Sequence, residues 1–151
     1  MLTQFLNEKT IAVQQQAADK EQAIRLAGQL LVAQGLVAPR YIDEMIAAVN
    51  ELGPYIVLSP GIAFAHARPS ELVKEDCVSL ITLATPVVFG HKKNDPVSVL
   101  FVLAARQSNQ HLSVMREIAK LIIRPDFLDR MAAAKQVNDL MCYLTEGEAT
   151  A

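Results

Sequence analysis

The stretch "SPGIAFAHARPSE", residues 59–71, sets His66 and Arg68 two positions apart, where an apolar run gives way to proline. Imidazole has an unperturbed pKa of about 6.5, so near neutral pH it offers an uncharged nitrogen that can attack a phosphoryl group. Arg68 adds a planar fork of donors suited to the oxygens of such a group. His111 is the second candidate. It falls in the first turn of an expected helix, where free backbone N–H groups and the positive end of the helix dipole favour an anion. The competing reading is a histidine that only decorates a helix start, hydrogen-bonded to Asn109, and spacing leaves the two readings open. His91, beside Lys92 and Lys93, reads as a solvated or satisfied loop residue.

Other chemistries find less support. A small metal-binding protein using His66, His91 and His111 is an alternative, but these positions match no local zinc pattern such as HExxH. Ser59 and Ser70 flank His66 without forming a GxSxG elbow, and no glycine-rich loop ends in Gly-Lys-Ser/Thr. Neither a hydrolase triad nor a nucleotide site is indicated.

The elements that must position these side chains are legible as hydrophobic periods. Asp19 and Gln22 resemble a capping box, Ala23, Ile24, Ala27, Leu30 and Leu31 keep helical spacing, and Gly35 supplies a left-handed stop. This predicts a helix over 20–34. Pro39 and the pair Gly53, Pro54 bracket a second helix over 39–52, with Ile42, Met45, Ile46, Val49 and Leu52 on one stripe. "YIVLS" and "GIAFA" are short β-rich segments. The runs 77–85 and 97–105 are almost continuously apolar, as expected of central strands covered on both faces. Between them "PVVFGHKKNDP" must turn at the surface. A helix is expected from near Asn109 to before Pro125, followed by shorter ones at 126–133 and 135–145. His66 then lies where a strand emits a loop, a usual place for a ligand in an α/β sheet. The fold class is α/β, a single domain with a sheet sandwiched by α-helices over 1–145 and a flexible C-terminal tail at 146–151.

Composition narrows the field further. The 151 residues fit one domain with its own core. With 52% hydrophobic residues, 14 basic and 16 acidic side chains, neither disorder nor nucleic-acid binding is indicated. Cys77 and Cys142 stand far apart without a CxxC pattern and read as small buried hydrophobes, not as a disulfide or zinc pair. No leader-like segment and no apolar run of ~20 residues is present, so a cytoplasmic protein without direct membrane insertion is expected.

"GIAFAHARP" resembles the Gly-Ile-Ala-x-Pro-His signature of the mannitol/fructose-type (type 2) enzyme IIA domains of the bacterial phosphoenolpyruvate-dependent sugar phosphotransferase system. "RYIDEMIAAVNELGPYIVLSPG", "NDPVSVLFVLAA" and "QHLSVMREIAKLI" continue the likeness over almost the whole chain. Within the family, "YIDEMIAAVNELGPYIVLSPG" and "NDPV" are most similar to the stand-alone ascorbate-type proteins. The resemblance implies a mixed sheet flanked by helices. It implies that His66 accepts a phosphoryl group from the phosphocarrier protein HPr and passes it to a cysteine of enzyme IIB, with the membrane enzyme IIC an indirect partner. The implied outcome is sugar uptake, with ascorbate or a pentitol-like compound as candidate cargo. His111 matches the family's assisting histidine. No metal or organic cofactor is implied. Two positions depart from the pattern: Ala65 stands where the family usually has proline, and Asn50 where mannitol-type members carry arginine, a charge that Arg68 would replace. Ile62, Phe64 and Leu112 are candidates for a partner-docking rim or for the core beneath it. An alternative within the fold is a regulatory module whose phosphorylation state controls a partner protein.

Overall fold

The computed structural model describes residues 2–149. Four strands and five helices succeed one another as β1 (Ile11–Gln15), α1 (Lys20–Ala33), α2 (Pro39–Leu52), β2 (Ile62–His66), β3 (Cys77–Val87), β4 (Val97–Ala104), α3 (Ser108–Ile122), α4 (Phe127–Ala133) and α5 (Val137–Ala149), with single 3-10 turns at Leu2–Gln4, Glu8–Thr10 and Pro54–Ile56. The sheet order is β1-β3-β4-β2. β1 runs parallel to β3 and β2 parallel to β4, while β3 and β4 are antiparallel. The sheet is therefore mixed, and the two long apolar runs are its central strands, as their composition requires.

Alternation along each strand divides the core into two layers. Ala63 and Ala65 of β2, Ile81 of β3 and Leu100 and Val102 of β4 face α1 and α2. Ile62 and Phe64, Val78 and Leu80, and Val99, Phe101 and Leu103 face α3, α4 and α5. On the second face Phe101 stacks between Phe64 and Phe127, with ring centroids 5.3 and 6.3 Å away. Parity then fixes the acceptor candidate. His66 comes after Ile62 and Phe64 at intervals of two, so its side chain leaves the sheet on the α3 side.

Helix ends obey the sequence signals. The Gln22 N–H donates to Asp19 Oδ1 at 2.9 Å, and the Gln22 side chain caps the Ala18 N–H. Gly35 adopts φ +70 and the Leu36 N–H returns to the Leu31 carbonyl, closing α1. α2 starts at Pro39 and stops at Gly53, whose φ is +86. Three expectations shift. "YIVLS" is not a strand: Pro54 begins a 3-10 turn, and only Ser59 forms an isolated bridge, to Ile62. β1, not expected from the sequence, occupies the edge beside β3. Cys77 is buried but Cys142 is exposed, because Leu140, Tyr143 and Leu144 take the inward stripe of α5. α5 also continues through 146–149 of the expected tail, whose last two positions lie outside the described residues.

Candidate functional site

β2 and β4 run parallel and in register up to the pair His66–Leu103. Their carboxyl ends therefore open at one edge of the sheet, and the segments leaving the two strands are delivered to the same place. β2 continues into Ala67, Arg68 and Pro69. Pro69 disfavours the helical region for Arg68 and keeps the chain extended there. β4 continues through Ala105–Gln107 into α3, a turn pinned by Asp76, whose Oδ1 accepts the Arg106 N–H at 2.8 Å. The first turn of α3 thus crosses above the end of β2. His66 and His111 meet there, with ring centroids 5.0 Å apart and planes inclined by 63°.

These two rings share a cleft of about 490 Å³ with Arg68 and Ser108. Its apolar wall comes from Ala48 and Leu52 of α2, Tyr55, Pro69 and Leu112. Tyr55 meets the His66 ring edge-on at 6.2 Å. Leu52 and Leu112 are 65% and 63% exposed, large fractions for leucines beside polar chemistry, whereas Ile62 and Phe64 are fully packed. Ile62 and Phe64 are thus core, and Leu112 is an exposed part of the cleft lining. Spacing had not marked Leu52, Tyr55 or Ser108. Leu52 closes the apolar stripe of α2, so its position just before the Gly-Pro stop was the available signal.

The surroundings disfavour the cation of both histidines. Burial disfavours the imidazolium of His66, the neighbouring His111 adds to the effect, and the His66 pKa falls below its ordinary value. The backbone of Phe64 pulls weakly the other way without meeting the geometry of a hydrogen bond, for Nδ1 of His66 is buried and unpartnered. With Nδ1 shut in, Nε2 is the nitrogen left to face the cleft. Burial lowers the His111 pKa as well. Arg68 is exposed at the mouth. The arrangement can present a neutral nucleophilic nitrogen, a second imidazole and a guanidinium to one tetrahedral anion.

His91 takes no part in this cleft. Its Nδ1 accepts the N–H groups of Lys93 and Asn94 at 3.2 and 3.0 Å and organises its own loop, and the Asn94 side chain then donates to the Val57 carbonyl at 2.9 Å. The half-buried His91 is therefore a satisfied loop residue, as its sequence surroundings suggest, and forms the turn it sits in. Asn109 accepts from the Gln110 N–H at 3.0 Å. Among the described residues no group of three or more His, Cys, Asp or Glu side chains could hold a metal ion. Nor, among those residues, is any helix long and apolar enough to cross a membrane.

Comparisons with known proteins agree with this fold. The family described as "Phosphoenolpyruvate-dependent sugar phosphotransferase system, EIIA 2" matches residues 4–147. The ascorbate-specific phosphotransferase-system EIIA component of Escherichia coli K12 is 35% identical over 144 residues, covering 95% of this chain and 94% of the relative. Among solved structures, the mannitol-specific cryptic phosphotransferase enzyme IIA CmtB of E. coli superposes with a TM-score of 0.85 at 25% identity, covering 96% and 98% of the two chains. Enzyme IIA for mannitol from E. coli, solved in complex with phosphorylated enzyme IIB, superposes with a TM-score of 0.82 at 27% identity over 93% and 96%.

Proposed function

Because the chain belongs to the type 2 enzyme IIA family of the phosphoenolpyruvate-dependent sugar phosphotransferase system, a family of phosphotransferases, we propose that His66 is its phosphoryl acceptor. Nε2 attacks the phosphorus of phospho-HPr in line: a new N–P bond forms, the donor's N–P bond breaks, and the donor imidazole leaves with the electron pair. In the second half-reaction a cysteine thiolate of enzyme IIB attacks the same phosphorus and His66 recovers its lone pair. Transfer of this kind asks of the protein mainly alignment and charge neutralisation. Arg68 neutralises the phosphoryl oxygens, and His111 donates a hydrogen bond to one of them. The observation that carries the reading is the convergence of His66 and His111 at 5.0 Å, with Arg68, on one cleft.

The rim supports protein partners. Both donor and acceptor are macromolecules, so the nucleophile must stand at an open mouth, and exposed Leu52, Tyr55 and Leu112 supply apolar area around it. The complex of a mannitol enzyme IIA with phosphorylated enzyme IIB supports IIB as the onward partner, and the membrane enzyme IIC is its indirect consumer. The ascorbate-specific relative supports ascorbate, or a compound like it, as the sugar taken up. The site of action is the cytoplasm, where HPr works. Residues 1–145 form the phosphotransferase domain.

Incubation with phosphoenolpyruvate, enzyme I and HPr, and then intact-mass measurement, tests the acceptor. The expected result is an acid-labile phosphoryl adduct on the wild type that disappears with His66→Ala; no adduct on the wild type would sink the relay. Adding an ascorbate-type enzyme IIB should then discharge it. Retention of the group in the presence of IIB would favour the regulatory reading.

A further inference from the structure

Beneath the cleft, Tyr41 is buried without access to solvent. Its hydroxyl donates to the Leu103 carbonyl at 2.7 Å and accepts the Ala67 N–H at 3.1 Å, with the Ala67 carbonyl at 3.5 Å. A hydroxyl has one proton, and the short bond to Leu103 uses it. Leu103 is the register partner of His66, and Ala67 is the residue immediately after His66. The tyrosine oxygen therefore stands between β2 and β4 where the two strands part, joining groups that no longer reach each other directly.

We propose that Tyr41 is a positioning residue for the phosphoryl acceptor: its hydroxyl, wedged between the Ala67 N–H and the Leu103 carbonyl, fixes the carboxyl end of β2 and with it the direction of the His66 imidazole. β2 is an edge strand of five residues, paired on one side only, with β4. Such a strand frays from its end unless something holds it. His66 is its last residue, and its Nδ1 has no hydrogen bond to orient the ring. Beside the ring contacts of Tyr55 and His111, the backbone on either side sets the ring's direction, and Tyr41 is the side chain bonded to the next residue along. The same helix face that carries Tyr41 also carries Ala48 and Leu52 to the cleft wall, so α2 sets the frame of the acceptor and the wall opposite it together. Burial raises the pKa of the Tyr41 hydroxyl far above the ordinary tyrosine value, which keeps it a donor at any working pH.

This inference rests on the phosphoryl-relay reading, and the experiment separates the two. Tyr41→Phe keeps the ring and removes the bridge. Ser79→Ala serves as comparator, since Ser79 Oγ makes a similarly buried bond, to the Ala27 carbonyl at 2.7 Å, away from the cleft. Phosphorylation by phospho-HPr is monitored by rapid quench, with thermal unfolding and histidine-ring NMR on the same samples. Tyr41→Phe should lower kcat about 10-fold with KM for the donor changed less than twofold, as expected of a sub-ångström misplacement. It should also shift the ring resonances of His66, while Ser79→Ala loses comparable Tm and retains both. Equal slowing in the two variants, unchanged His66 resonances in Tyr41→Phe, or failure of Tyr41→Phe to fold while Ser79→Ala folds would each overturn the proposal by assigning Tyr41 to general stability. If the wild type takes up no phosphate, the relay falls, and the His66 resonances still decide whether Tyr41 orients that ring.

Discussion

His66 and His111 titrate below the ordinary histidine range because burial penalises their cations, and this has a stability consequence with a definite sign. Above about pH 6.5 both folded and unfolded chains hold these rings neutral and nothing is lost. As pH falls through that value the unfolded chain binds protons that the folded one refuses, so stability declines until the lower folded pKa values are reached. Denaturant unfolding at pH 7.5, 6.5 and 5.5 should therefore show a loss on acidification that is smaller in the His66→Gln/His111→Gln double variant; an equal loss would mean that the rings are not held neutral by the fold. The same shift would serve the proposed relay, since a neutral imidazole nitrogen is held to lower pH than in a free histidine. In the proposed relay Arg68 acts by charge. A hydrogen bond to a charged partner contributes about 1.5–3 kcal/mol, less at an exposed site, so Arg68→Ala should slow transfer about 10-fold and Arg68→Lys should recover part of it. A wild-type rate in Arg68→Ala would make Arg68 ordinary loop surface.

At the scale of elements, local signals were readable and non-local ones were not. Pro39 and Gly53 bracket α2, and Asp19 starts α1, because caps and breakers act within a few residues. β1 escaped notice because "IAVQQ" is short and half polar, and becomes a strand only by pairing with β3. "YIVLS" misled in the opposite direction: its Ile56 and Val57 are buried, but in a turn, since Pro54 and Pro60 leave no room for a ladder. Cys142 misled because apolar character was read without its place on the helix stripe. The cap makes a clean control. Asp19→Ala removes an N-terminal bond worth about 1 kcal/mol at the far end of α1 from the relay chemistry. Urea unfolding should register that loss while the phosphorylation rate stays at the wild-type value; a slowed rate would show that α1 and the cleft are mechanically coupled.

For the whole molecule, the sandwich was legible because two continuous apolar runs demand cover on both faces. The meeting of His66 with His111 was not, since it depends on the strand order and on the parallel pairing of β2 with β4, which no local spacing encodes. That architecture gives the two core layers unequal relations to the site. Phe101 stacks on Phe64, two residues before His66 and on the same face, whereas Leu31 of α1 fills the opposite layer. Truncating either buried side chain to alanine should cost about 2–5 kcal/mol, a drop in Tm of order 10 °C for a chain of this size. Their effects on transfer should differ. With Phe101→Ala the support under Phe64 disappears and the acceptor loosens, so the rate per folded molecule should fall several-fold. With Leu31→Ala the cavity opens in the layer opposite the face from which His66 projects, away from Phe64 and Phe101, and the rate per folded molecule should hold. Rapid-quench phosphorylation well below either Tm, normalised to the folded fraction, distinguishes these outcomes. If both variants slow alike, the sheet transmits core strain to the acceptor and the two layers act as one.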